Sequence, residues 1–271
     1  RMPAVHLPRL KEQIARLALY FSQPEDFLQR LHELFDLYAD RAYRPGQAVR
    51  PRPLVQTYHA PPLVLRMLEQ ELGKQVNDNP DAALDVAGLL WRDAYLEPRL
   101  LAAALLGQVP VNPPEPVLER LLAWADPDVD PQILETLMLQ GSNRLRREQP
   151  ERWLALVEHW LESSSKEIQG VGLKSLLPLV QDRSFQNLPR IYRILHPLVQ
   201  SAPGEFLGDL QKNIEVLARR SPAETAYFLR QMLSLSESSG TVRLVRRVLP
   251  AFPEEQQASL RKALLARQGE R

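Results

Sequence analysis

One helical motif recurs about six times along this chain, each copy punctuated by a proline, and this repetition constrains the fold more than any single residue. Proline suits the first turn of a helix and interrupts its interior. Pro24, Pro80, Pro131, Pro150 and Pro222 each stand where a new apolar stripe begins. A lone helix pair cannot bury its apolar faces. A stack of pairs can, and the stack presents a long concave surface suited to a large partner. Strand signals are weak: there is no sustained alternation and no Asn-Gly or Asp-Gly hairpin turn. The expected fold is all-α, an α-solenoid of about six antiparallel helix pairs.

The stripes give the boundaries. Residues 7–21 align Leu7, Leu10, Ile14, Leu17 and Phe21; residues 24–43 align Phe27, Leu31, Leu34, Phe35 and Tyr38. Residues 44–60, with Pro45-Gly46, Pro51 and Pro53, read as a long loop or hinge. Pairs then follow at 61–76 with 80–94, 97–108 with 114–125, and 131–147 with 150–162. Three more come at 165–181 with 187–200, 203–220 with 222–235, and 238–250 with 253–268. Asn79 is a predicted N-cap, and Ser221-Pro222 reads as a cap with a first-turn proline. Pro178 falls inside a helix and is expected to kink it. The expected organisation is an N-terminal segment, 1–60, packed on a repeat array, 61–271.

Composition excludes several classes of function. No cysteine is present, so disulfide frameworks, thiolate zinc sites and cysteine nucleophiles are out. The five histidines lack metal-ligand spacing, the glycines form no phosphate loop, and no metal or cofactor is expected. No apolar run reaches the roughly 18 residues of a membrane span. With no apolar leader in Arg1–Leu7, a cytoplasmic location is expected.

Net charge is +1, but it is unevenly spread: residues 61–143 hold 5 Lys+Arg against 13 Asp+Glu, residues 182–271 hold 14 against 9. Arginines cluster at helix ends: Arg144, Arg146 and Arg147; Arg219 and Arg220; Arg243, Arg246 and Arg247. Each cluster is accounted for locally by the negative end of the helix dipole. Equivalent helix ends of successive repeats would also align the clusters into a stripe for phosphates. On this reading the nucleic-acid-binding residues are Arg144, Arg147, Arg219, Arg220, Arg243, Arg246 and Arg247.

Two further groups carry potential chemistry. Asp126, Asp128 and Asp130 precede Pro131. Their ordinary role is a polar turn and an N-cap; the functional one is a carboxylate facing a cationic centre. They lack the glycine and closing glutamate of a calcium loop. Trp91, Trp124, Trp153 and Trp160 read as packing between repeats, with base stacking as the alternative.

Several stretches together resemble the HEAT-like-repeat DNA alkylation repair family, which includes a glycosylase for alkylated purines. They are Tyr58-His59-Ala60-Pro61-Pro62-Leu63-Val64-Leu65-Arg66, then Leu89-Leu90-Trp91 followed by Glu97-Pro98-Arg99 and Ala102 to Leu106, then Asp128-Val129-Asp130. The last runs from Gly208 to Leu249, through Leu210-Gln211-Lys212, the Arg219-Arg220-Ser221-Pro222 joint and Thr241-Val242-Arg243. The resemblance implies that an acid at Asp130 and two tryptophans surround the lesion. Here Asp126 stands where the first tryptophan is expected and Ile168 where the second is; Val216-Leu217-Ala218-Arg219 replaces a further tryptophan motif. The expectation is a divergent member that binds duplex DNA through a basic C-terminal stripe, its glycosylase site lost or altered. The alternative is a non-enzymatic scaffold holding a protein on its concave face; an active alkylpurine glycosylase comes third.

Overall fold

The computed structural model describes residues 6–40 and 54–269; helices are the only regular elements longer than a single bridge among them, and they contain no β-strand. The chain divides into two compact units, residues 1–153 and 154–271.

The first unit contains α1 (Leu7–Ala18), α2 (Pro24–Tyr38), α3 (Pro62–Asp78), α4 (Pro80–Trp91), α5 (Leu96–Leu106), α6 (Glu115–Trp124), α7 (Pro131–Thr136) and α8 (Asn143–Glu148). Alternate helices pack side by side: α1 on α3, α3 on α5, α5 on α7, and α2 on α4. The stripes explain it. Leu10, Ile14 and Leu17 are buried on α1, and Phe27, Leu31, Leu34, Phe35 and Tyr38 on α2, as the periodicity predicts; Leu7 is exposed. Burying each such side chain contributes roughly 1.5–3 kcal/mol. Every residue of α5 except Arg99 is buried, which makes it the central helix of the unit. Asn79 caps α4, accepting from the Ala82 amide at 3.3 Å.

The helix expected over 131–147 is instead interrupted. Leu137–Gly141 form a π-helical turn between α7 and α8, in which the Ser142 amide donates to Leu137 O at 3.1 Å. The cause is a close approach to α5. A Cβ on Gly107 would fall 1.8 Å from Gln140 O, and one on Gly141 would lie 3.2 Å from Ala103 O. The extra residue lets the two backbones meet there. Arg146 fastens the turn from behind, donating to Met138 O at 2.8 Å and Leu139 O at 2.9 Å.

The division between the units falls within α9 (Pro150–Leu161). The second unit contains α10 (Lys166–Gln181), α11 (Leu188–Ser201), α12 (Leu207–Arg220), α13 (Pro222–Leu235), α14 (Ser239–Val248) and α15 (Glu254–Gly269). Here α10, α12 and α14 form one layer, and α11, α13 and α15 the other. Pro178 lies inside α10 and Pro197 inside α11. Ser221 precedes Pro222 as expected, but its hydroxyl donates to Glu224 at 2.9 Å rather than capping an amide.

Of the loop expected at 44–60, residues 44–53 lie outside the described residues. Residues 54–60 run as a strap tied from several sides. The Leu96 amide donates to Gln56 O at 2.8 Å, and the Asp40 amide to Tyr58 O at 3.1 Å. His59 takes a left-handed φ of 52°, sparsely populated for a residue with a side chain.

Candidate functional site

The basic residues predicted to form one stripe divide into three kinds. On α14, Thr241, Leu244, Val245 and Val248 are buried, while Arg243, Arg246 and Arg247 are exposed. The arginines stand at i, i+3 and i+4, so they share one helix face. None of the three has a hydrogen-bond or ion-pair partner among the described residues. The neighbouring helices of the layer carry exposed basic residues too. Asn213 donates to Leu173 O at 3.2 Å where α12 meets α10, and exposed Lys174 and Lys212 flank that contact. Lys212 and Arg219 are loosely paired within their own helix, at 3.5 Å to Asp209 and 3.6 Å to Glu215.

Arg220 serves the fold instead. It donates to Val180 O at 2.6 Å, Asp182 O at 3.0 Å and Phe185 O at 2.5 Å, and so ties down the turn after α10. Arg144 and Arg147 belong to the first unit. Arg144 donates to Glu148, Asn77 and Gln108 O, each at 2.8 Å, whereas Arg147 is exposed.

A second concentration of polar groups lies in the first unit, around the strap. Asp130 caps α7: one carboxylate oxygen accepts from the Gln132 amide at 2.8 Å, the other from the Leu54 amide at 2.7 Å. It is 4% exposed. Asp126 accepts from the Asp128 amide at 2.9 Å, closing a polar turn, and both residues are exposed. Glu97, in the first turn of α5, accepts from Thr57 Oγ1 at 2.8 Å, the Tyr58 amide at 3.1 Å and the Ala60 amide at 3.2 Å. Two carboxylates on two helices thus hold the strap between them.

The tryptophans beside this site pack on each other. The Trp91 and Trp124 rings stack at 4.5 Å between centroids, and the Arg99 guanidinium lies 5.2 Å from the Trp91 centroid. Burial lowers the pKa of Arg99, and the nearby Asp130 and Asp93 charges oppose that shift. Trp153 and Trp160 are buried too, which agrees with the packing role read from their spacing.

A constellation missed by the sequence reading centres on His32. Its Nδ1 lies 2.5 Å from Tyr58 Oη and its Nε2 2.9 Å from Asp93 Oδ2. Tyr58 stacks on Tyr95 at 4.2 Å and on Phe35 at 5.5 Å. Burial, then the neighbouring Tyr95, Asp36, Asp93 and Glu97, pushes the Tyr58 phenol well above the ordinary tyrosine range, so it stays protonated. Three separate segments supply these residues, and no local spacing announces them. Among the described residues no group of three or more His, Asp or Glu is placed to hold a metal ion.

Asp130→Ala will lower stability by about 2–4 kcal/mol, the sum of a lost cap at about 1 kcal/mol and an unmet amide at about 1–3 kcal/mol. Asparagine keeps an acceptor for the Gln132 amide but turns an NH2 donor toward the Leu54 amide, so Asp130→Asn will retain the cap and lose the strap bond, at about 1–2 kcal/mol. Urea unfolding of the two variants separates these outcomes.

A family model described as DNA alkylation repair enzyme matches residues 62–215. The match covers more than half of the 271 residues, and the chain belongs to that family. No curated protein and no solved structure matches it. No helix of the described residues is long and apolar enough to cross a membrane.

Proposed function

We propose that this member of the DNA alkylation repair family binds duplex DNA through the exposed basic face of α10, α12 and α14, and that its glycosylase site is altered. The observation that carries the first half is the trio Arg243, Arg246 and Arg247: three guanidiniums on one face, without partners among the described residues. Guanidiniums left free in this way are suited to forked contacts with phosphates. Lys174, Lys212 and Arg219 extend the same layer. Arg220 and Arg144, each committed to backbone carbonyls, are left out of the proposed interface.

The second half rests on Asp130 and its surroundings. A carboxylate that stabilises a developing sugar cation needs an oxygen facing that centre. Both Asp130 oxygens accept from backbone amides, and the residue is almost fully covered. Trp91 and Trp124 stack on each other, leaving little ring face for a base. Asp126 and Ile168 occupy the positions where the family resemblance expects aromatic rings.

The test is a salt titration of binding to a labelled duplex, with and without alkylated purines. Six phosphate contacts give log K a slope of about −5 against log salt, at roughly −0.9 per contact. Absence of binding at low salt ends the DNA reading. Enzymatic release of an alkylated base would overturn the altered-site half alone.

A further inference from the structure

The first unit carries a surface of opposite sign, along the junction of α2 and α4. Two open clefts of about 500 and 450 Å³ lie there side by side, with Glu25 and Leu89 lining both, and are treated together as one groove. Leu28, Leu84 and Leu89 supply apolar surface along it. Five exposed carboxylates border it: Glu25, Asp26, Glu33 and Asp36 on α2, and Asp85 on α4. From Glu25 to Asp36 they run about 16 Å along the helix, at about 1.5 Å of rise per residue.

None of the five has an ion-pair or hydrogen-bond partner among the described residues. Two arginines, Arg92 and Arg120, also line the cleft at its α4 end, so the five carboxylates outnumber the cations along it, and no hydrogen bond or ion pair among the described residues ties either arginine to a carboxylate. Arg30 lies over the Tyr20 ring at 3.8 Å, Arg92 donates to Gly88 O at 3.1 Å, and Arg120 donates to Pro116 O at 2.9 Å. Glu25 and Asp26 stand in the first turn of α2, where the helix dipole accounts for them. Glu33 and Asp85 have no such local reason. Asp36 stands in the last turn, where the dipole opposes a negative charge. The folded unit thus keeps unpaired acids beside an apolar floor, one of them at a locally unfavourable position.

We infer that this groove docks a basic, amphipathic segment of a partner protein, with leucine-like side chains on the floor and lysine or arginine against the carboxylates. Charge complementarity selects the occupant: the same acids repel nucleic acid and anionic lipid. The groove belongs to the first unit and is independent of the basic face proposed for DNA.

The probe is a fluorescein-labelled peptide of three Leu-Lys-Lys-Leu units, titrated by anisotropy with the full chain. Wild type is expected to bind it. The Glu33→Gln/Asp36→Asn/Asp85→Asn variant, changed only at exposed positions, is expected to weaken binding about tenfold. Leu89→Asn is also expected to weaken it, and a Glu69→Gln/Glu71→Gln/Glu135→Gln control to leave it unchanged. No binding by wild type, or equal binding by the groove and control variants, overturns the proposal. Equal binding of a peptide with glycine for leucine, unaffected by Leu89→Asn, would reduce the effect to bulk charge and also overturn it. A wild-type dimer in sedimentation that the groove variant abolishes would overturn the assignment by making a second copy the occupant.

Discussion

Reversing Arg243, Arg246 and Arg247 to glutamate is expected to weaken duplex binding by about 100- to 1000-fold near 0.1 M salt and to flatten its salt dependence. At roughly −0.9 in the logarithmic slope per phosphate contact, three lost contacts remove about 2.7 from the slope. The new carboxylates then repel the same phosphates, so the loss exceeds that of neutral replacements. The fold should tolerate the change, because all three side chains are exposed and the buried face of α14 is untouched. Negative charge in a last helical turn costs about 0.3–1 kcal/mol per residue, well short of unfolding. The control reverses Arg193, Arg261 and Lys262, exposed residues on the helices of the other layer, for the same change in net charge. Anisotropy with both variants at several salt concentrations decides. Equal weakening by the two would show that total charge matters rather than the face.

Glu97→Ala is the second large effect expected, and it falls on stability. The carboxylate is 3% exposed and accepts three hydrogen bonds, two of them from backbone amides of the strap. Bonds to a charged group contribute about 1.5–3 kcal/mol each, and an amide left without a partner costs about 1–3 kcal/mol. Allowing for partial hydration once the strap loosens, we expect a loss of about 3–5 kcal/mol in urea unfolding. Glu97→Gln keeps an acceptor oxygen and is expected to lose about half as much. Protease cleavage near residues 54–60 should rise in parallel for the alanine variant. A loss below about 1 kcal/mol would mean that the strap is held by its other ties.

The helices were legible because proline at first turns and apolar spacing are local signals. Pro80, Pro131, Pro150 and Pro222 each begin a helix as expected. The four stretches that carried the family resemblance overlap the matched span, 62–215. What escaped was set by approach between distant segments. The π-helical turn exists because α5 comes close to Gln140 and Gly141, and nothing in Leu137–Gly141 alone announces it. Helix-end position gave Arg219 and Arg220 one role, yet Arg220 turns to three carbonyls some 35–40 residues earlier in the chain while Arg219 remains at the surface. Similarly, His32, Tyr58 and Asp93 come from three segments and meet only in the folded unit.

The strap held by Glu97 and Asp130 bears on how relatives are compared. In this molecule the aspartate before Pro131 has a folding role: it starts one helix and anchors a distant segment. A chain that had discarded base excision would still lose stability by losing that acid. The presence of such an aspartate in a sequence is therefore not by itself a sign of base excision. The informative difference lies in whether one of its oxygens is released from backbone duty and whether the rings beside it are free to take a base and not stacked on each other.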